Sequence, residues 1–146
     1  MNTKKPKKNV KKSIDIKFKG KNVTEKLEWF FSNVFYCLED ASNNNYTPLI
    51  SLTKNIANSG SILATYNLGM IYKEGIGVIP NMEQAVTYFN NASIQGYSPA
   101  MVELAFAYLS GSGIQKDKKT AIAWLRKAID NDYEPAQEIL TDILTN

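Results

Sequence analysis

Residues 64–99 read ATYNLGMIYKEGIGVIPNMEQAVTYFNNASIQGYSP, and residues 100–135 read AMVELAFAYLSGSGIQKDKKTAIAWLRKAIDNDYEP. The second stretch is the first returned at a step of 36 residues. Nine positions are identical: Ala64/Ala100, Leu68/Leu104, Tyr72/Tyr108, Gly75/Gly111, Gly77/Gly113, Ala85/Ala121, Ala92/Ala128, Tyr97/Tyr133 and Pro99/Pro135. Other pairs are close, among them Val78/Ile114, Val86/Ile122 and Tyr88/Trp124. Ala136 and Leu140 then open a truncated third copy, 136–146. A period of this length marks a repeat array, in which one unit cannot bury its apolar face without its neighbours.

Spacing within a repeat predicts its shape. Ala64, Leu68 and Tyr72 stand four apart, on one face of a helix. Gly75 and Gly77 end that helix and supply the positive-φ positions of a tight exit. Asn81 takes an N-cap position, and Asp117 replaces it one repeat later. Met82, Ala85, Val86, Phe89 and Ala92 then mark one face of a second helix. Its counterpart carries Ala121, Trp124, Leu125, Ala128 and Ile129. Gly96 ends the second helix, and Ser98-Pro99 reads as N-cap and first residue of the next one. Small residues at 64, 69, 85, 92, 100, 105, 121 and 128 allow close helix approach.

The A-x3-LG-x2-Y-x2-G-x-G-V core with a later A-x2-YF-x2-A resembles the SLR (Sel-one-like repeat) family, relatives of the tetratricopeptide repeats. The likeness covers 64–135 and extends to the chain end. Ala105 in place of Gly69, and Asp132 in place of Gly96, are departures that leave the fold intact. The resemblance implies a short right-handed all-α solenoid used in protein–protein binding, commonly as a bacterial adaptor or effector-associated module. It implies no activity.

One further step back, Leu49, Ile50, Leu52, Ile56 and Gly60 fall under Ala85, Val86, Tyr88, Ala92 and Gly96. Tyr36 falls under Tyr72, but Ser32 falls under Leu68 and the glycine pair is missing. The segment 22–60 is therefore a degenerate first unit. Asn22 and Glu25 have capping-box spacing ahead of an aromatic-rich helix, and Asn43, Asn44 and Asn45 stand in for the glycine turn. The expected organisation is a leader 1–21 and a solenoid 22–146, with repeats 64–99 and 100–135. Seven helices are expected near 23–40, 48–58, 61–73, 82–95, 99–109, 118–131 and 135–145.

The chain of 146 residues carries a net charge of +3, unevenly placed. Residues 1–21 hold nine lysines against Asp15, a net of +8. Residues 22–146 hold eight basic and thirteen acidic residues, a net of −5. An acidic body argues against nucleic-acid binding by the solenoid, since phosphate contacts need cations. The basic block Lys4 to Lys12 reads as a solvated tail, or as a tether to nucleic acid or anionic lipid. Ile14, Ile16 and Phe18 alternate with polar residues, which suits an extended segment on the first helices or a partner's sheet edge. The one cysteine, Cys37, excludes a disulfide framework. The stretch from Trp29 to Leu38 is too short to span a bilayer, and no secretory signal follows the N-terminal lysines. A cytoplasmic protein is the expectation.

Chemistry has few candidates. The sequence has no histidine, which removes the commonest general base and zinc ligand. Cys37 then lacks an activating partner and reads as a packed thiol. Gly75-Ile76-Gly77 follows a helix rather than a strand, with no Gly-Lys-Ser/Thr behind it, so a turn is favoured over a phosphate loop. Asp130, Asp132 and Glu134 lack the spacing of a calcium loop. No enzyme, cofactor or metal is expected.

A binding surface is expected instead. Two residues along a helix is a rotation of about 200°, so Tyr66 and Met70 lie opposite the repeat's signature face. The same offset gives Val102 and Phe106 in the next unit, Phe30 and Val34 in the first, and Glu138 and Asp142 in the last. In the resembled architecture the first helices line the concave side, so these residues form a groove, with Lys73, Leu109 and Glu103 at its edge. An apolar floor with an acidic end suits an amphipathic helix or extended segment carrying a basic residue. The expected function is a non-catalytic module that binds a protein, as an immunity protein or adaptor that neutralises a toxin or escorts an effector. The alternative is a nucleic-acid- or membrane-associated regulator tethered by the lysine leader.

Overall fold

The computed structural model describes residues 45–145. They form six helices and no strand: α1 (Thr47–Asn58), α2 (Ile62–Glu74), α3 (Met82–Ile94), α4 (Ser98–Ser110), α5 (Lys118–Asp130) and α6 (Glu134–Thr145). Each end falls within one residue of the sequence expectation. The helix expected at 23–40 lies outside the described residues, as does Cys37.

The repeat is visible in the backbone as well as the side chains. The Asn81 N–H donates to the Tyr72 carbonyl at 2.8 Å, and 36 residues on the Asp117 N–H donates to the Tyr108 carbonyl at 2.9 Å. The Tyr97 N–H reaches the Ala92 carbonyl at 3.1 Å, and the Tyr133 N–H reaches that of Ala128 at 3.0 Å. Helix ends carry orphan donors and acceptors that must find partners, and here the same partners are used in each copy. The side-chain caps follow the same rule. Asn81 Oδ1 accepts from the Gln84 N–H at 3.0 Å. Asp117 Oδ1 accepts from the N–H groups of Lys119 and Thr120 at 2.9 and 3.1 Å. One cap differs from expectation. Tyr97, not Ser98, is the N-cap of α4, without a side-chain bond, which puts Ser98 and Pro99 inside the first turn.

Substantial packing is between consecutive helices, from α1·α2 through α5·α6. The repeat identities explain it: Ala85, Ala92, Ala100, Ala121, Ala128 and Ala136 are all 0 % exposed. Alanine at a crossing point lets two helix backbones approach closely without a void. Larger side chains fill the space between crossings. Phe89, Leu68, Leu104 and Leu125 are at most 2 % exposed, and burying each contributes roughly 1.5–3 kcal/mol.

The glycine turns lock one unit to the previous one. Gly77 and Gly113 have φ of 67° and 68°, where a side chain is strained. A β-carbon on Gly77 would run into the side chain of Tyr46, which precedes α1. One on Gly113 would run into the backbone carbonyl of Met82, the first residue of α3. Each turn therefore seats against the start of the preceding unit's second helix. This is the structural role expected of both glycines.

Candidate protein-interaction surface

The first helices of the repeats, α2, α4 and α6, carry the candidate residues from position 66 onward. Phe30 and Val34 lie outside the described residues. Phe106 is 46 % exposed, and Glu138 and Asp142 are exposed on α6. Tyr66, Met70, Lys73 and Leu109 are half-buried.

Val102 departs from expectation. It is 9 % exposed and belongs to the core cluster to which α6 contributes Ala136 and Leu140. The opposite face of α4 is open only where no later helix contributes to the same packing. A rotation angle within one helix does not contain that information. Val102 is a core residue, which leaves Tyr66, Met70 and Phe106 as the apolar candidates among the described residues.

Tyr66 is the best-anchored member. Its ring stands 5.8 Å from that of Phe89 and 5.1 Å from that of Tyr97, tilted in both cases, a favourable arrangement for aromatic quadrupoles. Burial, then the Glu103 carboxylate and the Tyr97 and Tyr133 phenols, hold the Tyr66 hydroxyl above its ordinary pKa. It is thus a neutral phenol beside a carboxylate. Glu103 in turn accepts from Lys73 Nζ at 2.9 Å, with Glu74 at 3.7 Å from the same ammonium. The Lys73–Glu103 pair ties α2 to α4 and is partly sheltered, with side chains 32 % and 20 % exposed. It contributes about 0.2–1 kcal/mol at such an exposure. Tyr97 and Tyr133 were legible as repeat identities but not as neighbours of Tyr66, because the link that carries Tyr97 is folded back onto α2.

Of the acidic residues 130, 132 and 134, Asp132 has a backbone role. Asp132 takes φ 59°, the left-handed conformation that Gly96 takes at 91° one repeat earlier. Its N–H donates to the Ile129 carbonyl at 2.8 Å. Among the described residues, no helix is long and apolar enough to cross a membrane.

Helix pairs stacked at a fixed 36-residue step, each turn seated on the unit before it, define a helical-repeat solenoid. The Sel1 repeat family profile matches residues 62–97 and 98–133. That frame starts at the first residues of α2 and α4, two residues before the alignment of the sequence with itself. The chain belongs to the Sel1-repeat, or SLR, family, whose repeats are protein–protein interaction modules. A Sel1 repeat protein from Oxalobacter formigenes is similar over 63 % of this chain and 27 % of its own, at 34 % identity and a TM-score of 0.60. A protective antigen of uropathogenic Escherichia coli strains, displaying an SLR fold, is similar over 92 % of this chain and 28 % of its own. Its TM-score is 0.71 at 24 % identity, a likeness of fold. The chain thus spans just over a quarter of the length of either protein. None of the curated proteins matches it.

Proposed function

We propose that this protein is a non-catalytic adaptor that binds a protein partner on the face of α2, α4 and α6. The observation that carries the reading is Phe106. A phenylalanine 46 % exposed, three residues along α4 from Glu103 of the inter-repeat ion pair, belongs to no core cluster among the described residues and is available as an anchor. Aromatic anchors ringed by polar groups are where binding energy concentrates. The exposed carboxylates Glu138 and Asp142 on α6 favour a partner segment with a basic residue at that end. Within this reading, the protein acts sterically, by covering the working surface of a toxin or effector in a bacterial cytoplasm.

The test is affinity capture from the native cell with wild-type protein and with Phe106→Glu. A protein retained by the first and lost from the second supports the reading. Equal retention by both overturns it. Deleting residues 1–12 separates the alternative of a lysine-tethered regulator: capture survives the deletion if the helical face is the site, and function is lost with it if the tether is.

A further inference from the structure

On the opposite side of the solenoid, α1 and α3 leave a groove of about 620 Å³ between them, floored by Leu68 and Thr65 of α2. We propose that this groove is a second docking site, for an extended segment of a protein partner that lays an apolar side chain against Ile94 and a carboxylate against Lys54.

The charge assignment comes from the lining. Among the described residues around the groove, Lys54 is the one charged group. It is held in place. Its ammonium lies 5.7 Å from the centre of the Tyr72 ring, and Tyr72 stacks on Tyr88 at 5.6 Å with the planes 10° apart. A cation fixed over an aromatic pair keeps its outer face free for an anion. Among the described residues, no acidic side chain lines the groove to compete for it.

The apolar assignment comes from the rim. Ile94 stands 69 % exposed there, whereas Leu68 in the floor is packed to 2 % exposure. Ile94 therefore offers apolar surface to an occupant. Asn58 and Asn91 add amides on either side. Side-chain amides offer a donor and an acceptor together, the pair that an extended peptide backbone presents. That combination, in a groove open to solvent rather than enclosed, favours a chain segment over a small molecule.

The repeat supplies its own comparison. One step on, Met101 stands where Thr65 does, is 4 % exposed and belongs to the core cluster with Leu125 and Ala128. Thr65 is shorter, and its hydroxyl is spent on the Ser61 carbonyl at 3.0 Å. Thr65 lines the groove, so a longer side chain at this position would extend into it.

The experiment uses the full chain, labelled with nitrogen-15 and titrated with acetyl-phenylalanyl-glycyl-glutamyl amide and with the lysyl counterpart. The expected result is saturable shifts at the amides of Lys54, Thr65, Leu68 and Ile94, with the glutamyl peptide bound roughly threefold or more tighter. Lys54→Glu reverses the preference. Thr65→Met abolishes binding of both peptides with the thermal midpoint retained. Ile94→Glu, at an exposed position that leaves the fold alone, weakens the glutamyl peptide. Absence of saturable shifts, shifts confined to α2, α4 and α6 away from the groove, or an unchanged preference in Lys54→Glu overturns the proposal. Tighter binding of free 3-phenylpropionate than of the peptide overturns the commitment to a protein segment.

Discussion

Gly69 lies directly under the ring of Phe89: a β-carbon on Gly69 would stand 2.5 Å from Cε1 and 2.6 Å from Cδ1. One repeat later the pair is Ala105 and Leu125, both in the same core cluster. The glycine-plus-phenylalanine contact and the alanine-plus-leucine contact fill one crossing with different divisions of volume. Phe89 is 1 % exposed and has nowhere to retreat. Gly69→Ala should therefore destabilise by about 1–2 kcal/mol, overpacking outweighing the better helix propensity. Phe89→Leu alone should cost about 1–2 kcal/mol through the cavity it leaves. The double variant, which copies the second repeat, should recover most of the loss. Denaturant melts of the four proteins give the coupling, and additive losses would refute the pairing.

The two turn glycines should differ in cost. Valine at Gly77 meets a side chain, that of Tyr46, whereas valine at Gly113 meets the backbone of Met82 and Glu83. Both carry the strain of a positive φ, about 1–3 kcal/mol. Gly113→Val should be the worse of the two, because a backbone at the start of a helix cannot step aside. Tyr46→Ala should relieve part of the Gly77→Val loss. No single side-chain change should relieve Gly113→Val. Thermal midpoints of these variants check the order.

Asp132 offers the opposite test. It is the non-glycine residue at positive φ among the described residues, and it occupies the place of Gly96. Asp132→Gly should stabilise by about 0.5–1 kcal/mol, relief of the left-handed conformation exceeding the entropy glycine loses on folding. Gly96→Asp should cost a similar amount. A destabilised Asp132→Gly protein would mean that the carboxylate has a role its exposure does not suggest.

Much of this architecture was legible beforehand. The 36-residue step located the helix ends to within a residue, because glycine turns and caps are local signals that repeat. The identities also marked the crossing points, since only small residues fit where backbones meet. Val102 was not legible: its burial depends on packing that α6 shares, a fact about the neighbour rather than about the spacing in α4. Nor was the groove between α1 and α3, which depends on how these two helices pack around Thr65 and Leu68 of α2. Periodicity tells which residues share a face; it does not tell which face a later helix will cover.

The two N-caps predict a pH dependence in one repeat and not the other. Hydrogen bonds from the Thr120 hydroxyl, foremost, and from the Thr120 and Lys119 N–H groups hold the Asp117 carboxyl below its ordinary value of 3.8. A depressed carboxyl contributes stability that is fully present above the unfolded value. That contribution is lost as pH falls through the folded one. The start of α5 should therefore loosen below about pH 4, while α3, capped by the neutral Asn81, should not. Thr120→Ala should move the Asp117 titration upward in a carbon-13 NMR experiment. Asp117→Asn should make the two helix starts respond alike to acid. An Asp117 midpoint unmoved by Thr120→Ala would show that the hydroxyl is not the chief cause.

Burial grades the surface residues into a last prediction. Phe106→Glu replaces a side chain that is 46 % exposed and should change stability by no more than about 0.5 kcal/mol. Met70 is half-buried against the cluster of Phe89 and Leu104, so Met70→Glu should cost about 1–3 kcal/mol by desolvating part of a carboxylate. Val102→Glu, at 9 % exposure, should prevent stable folding or force the carboxyl to stay protonated. Circular-dichroism melts give the stability order, and capture of the partner gives the binding order. Phe106→Glu should lose the partner while keeping the wild-type melt, because truncating a central aromatic anchor costs roughly 2–4 kcal/mol of binding. A protein that melts normally and still captures the partner with Phe106 replaced would move the interaction off this face, and the groove beside Lys54 would be the next surface to test.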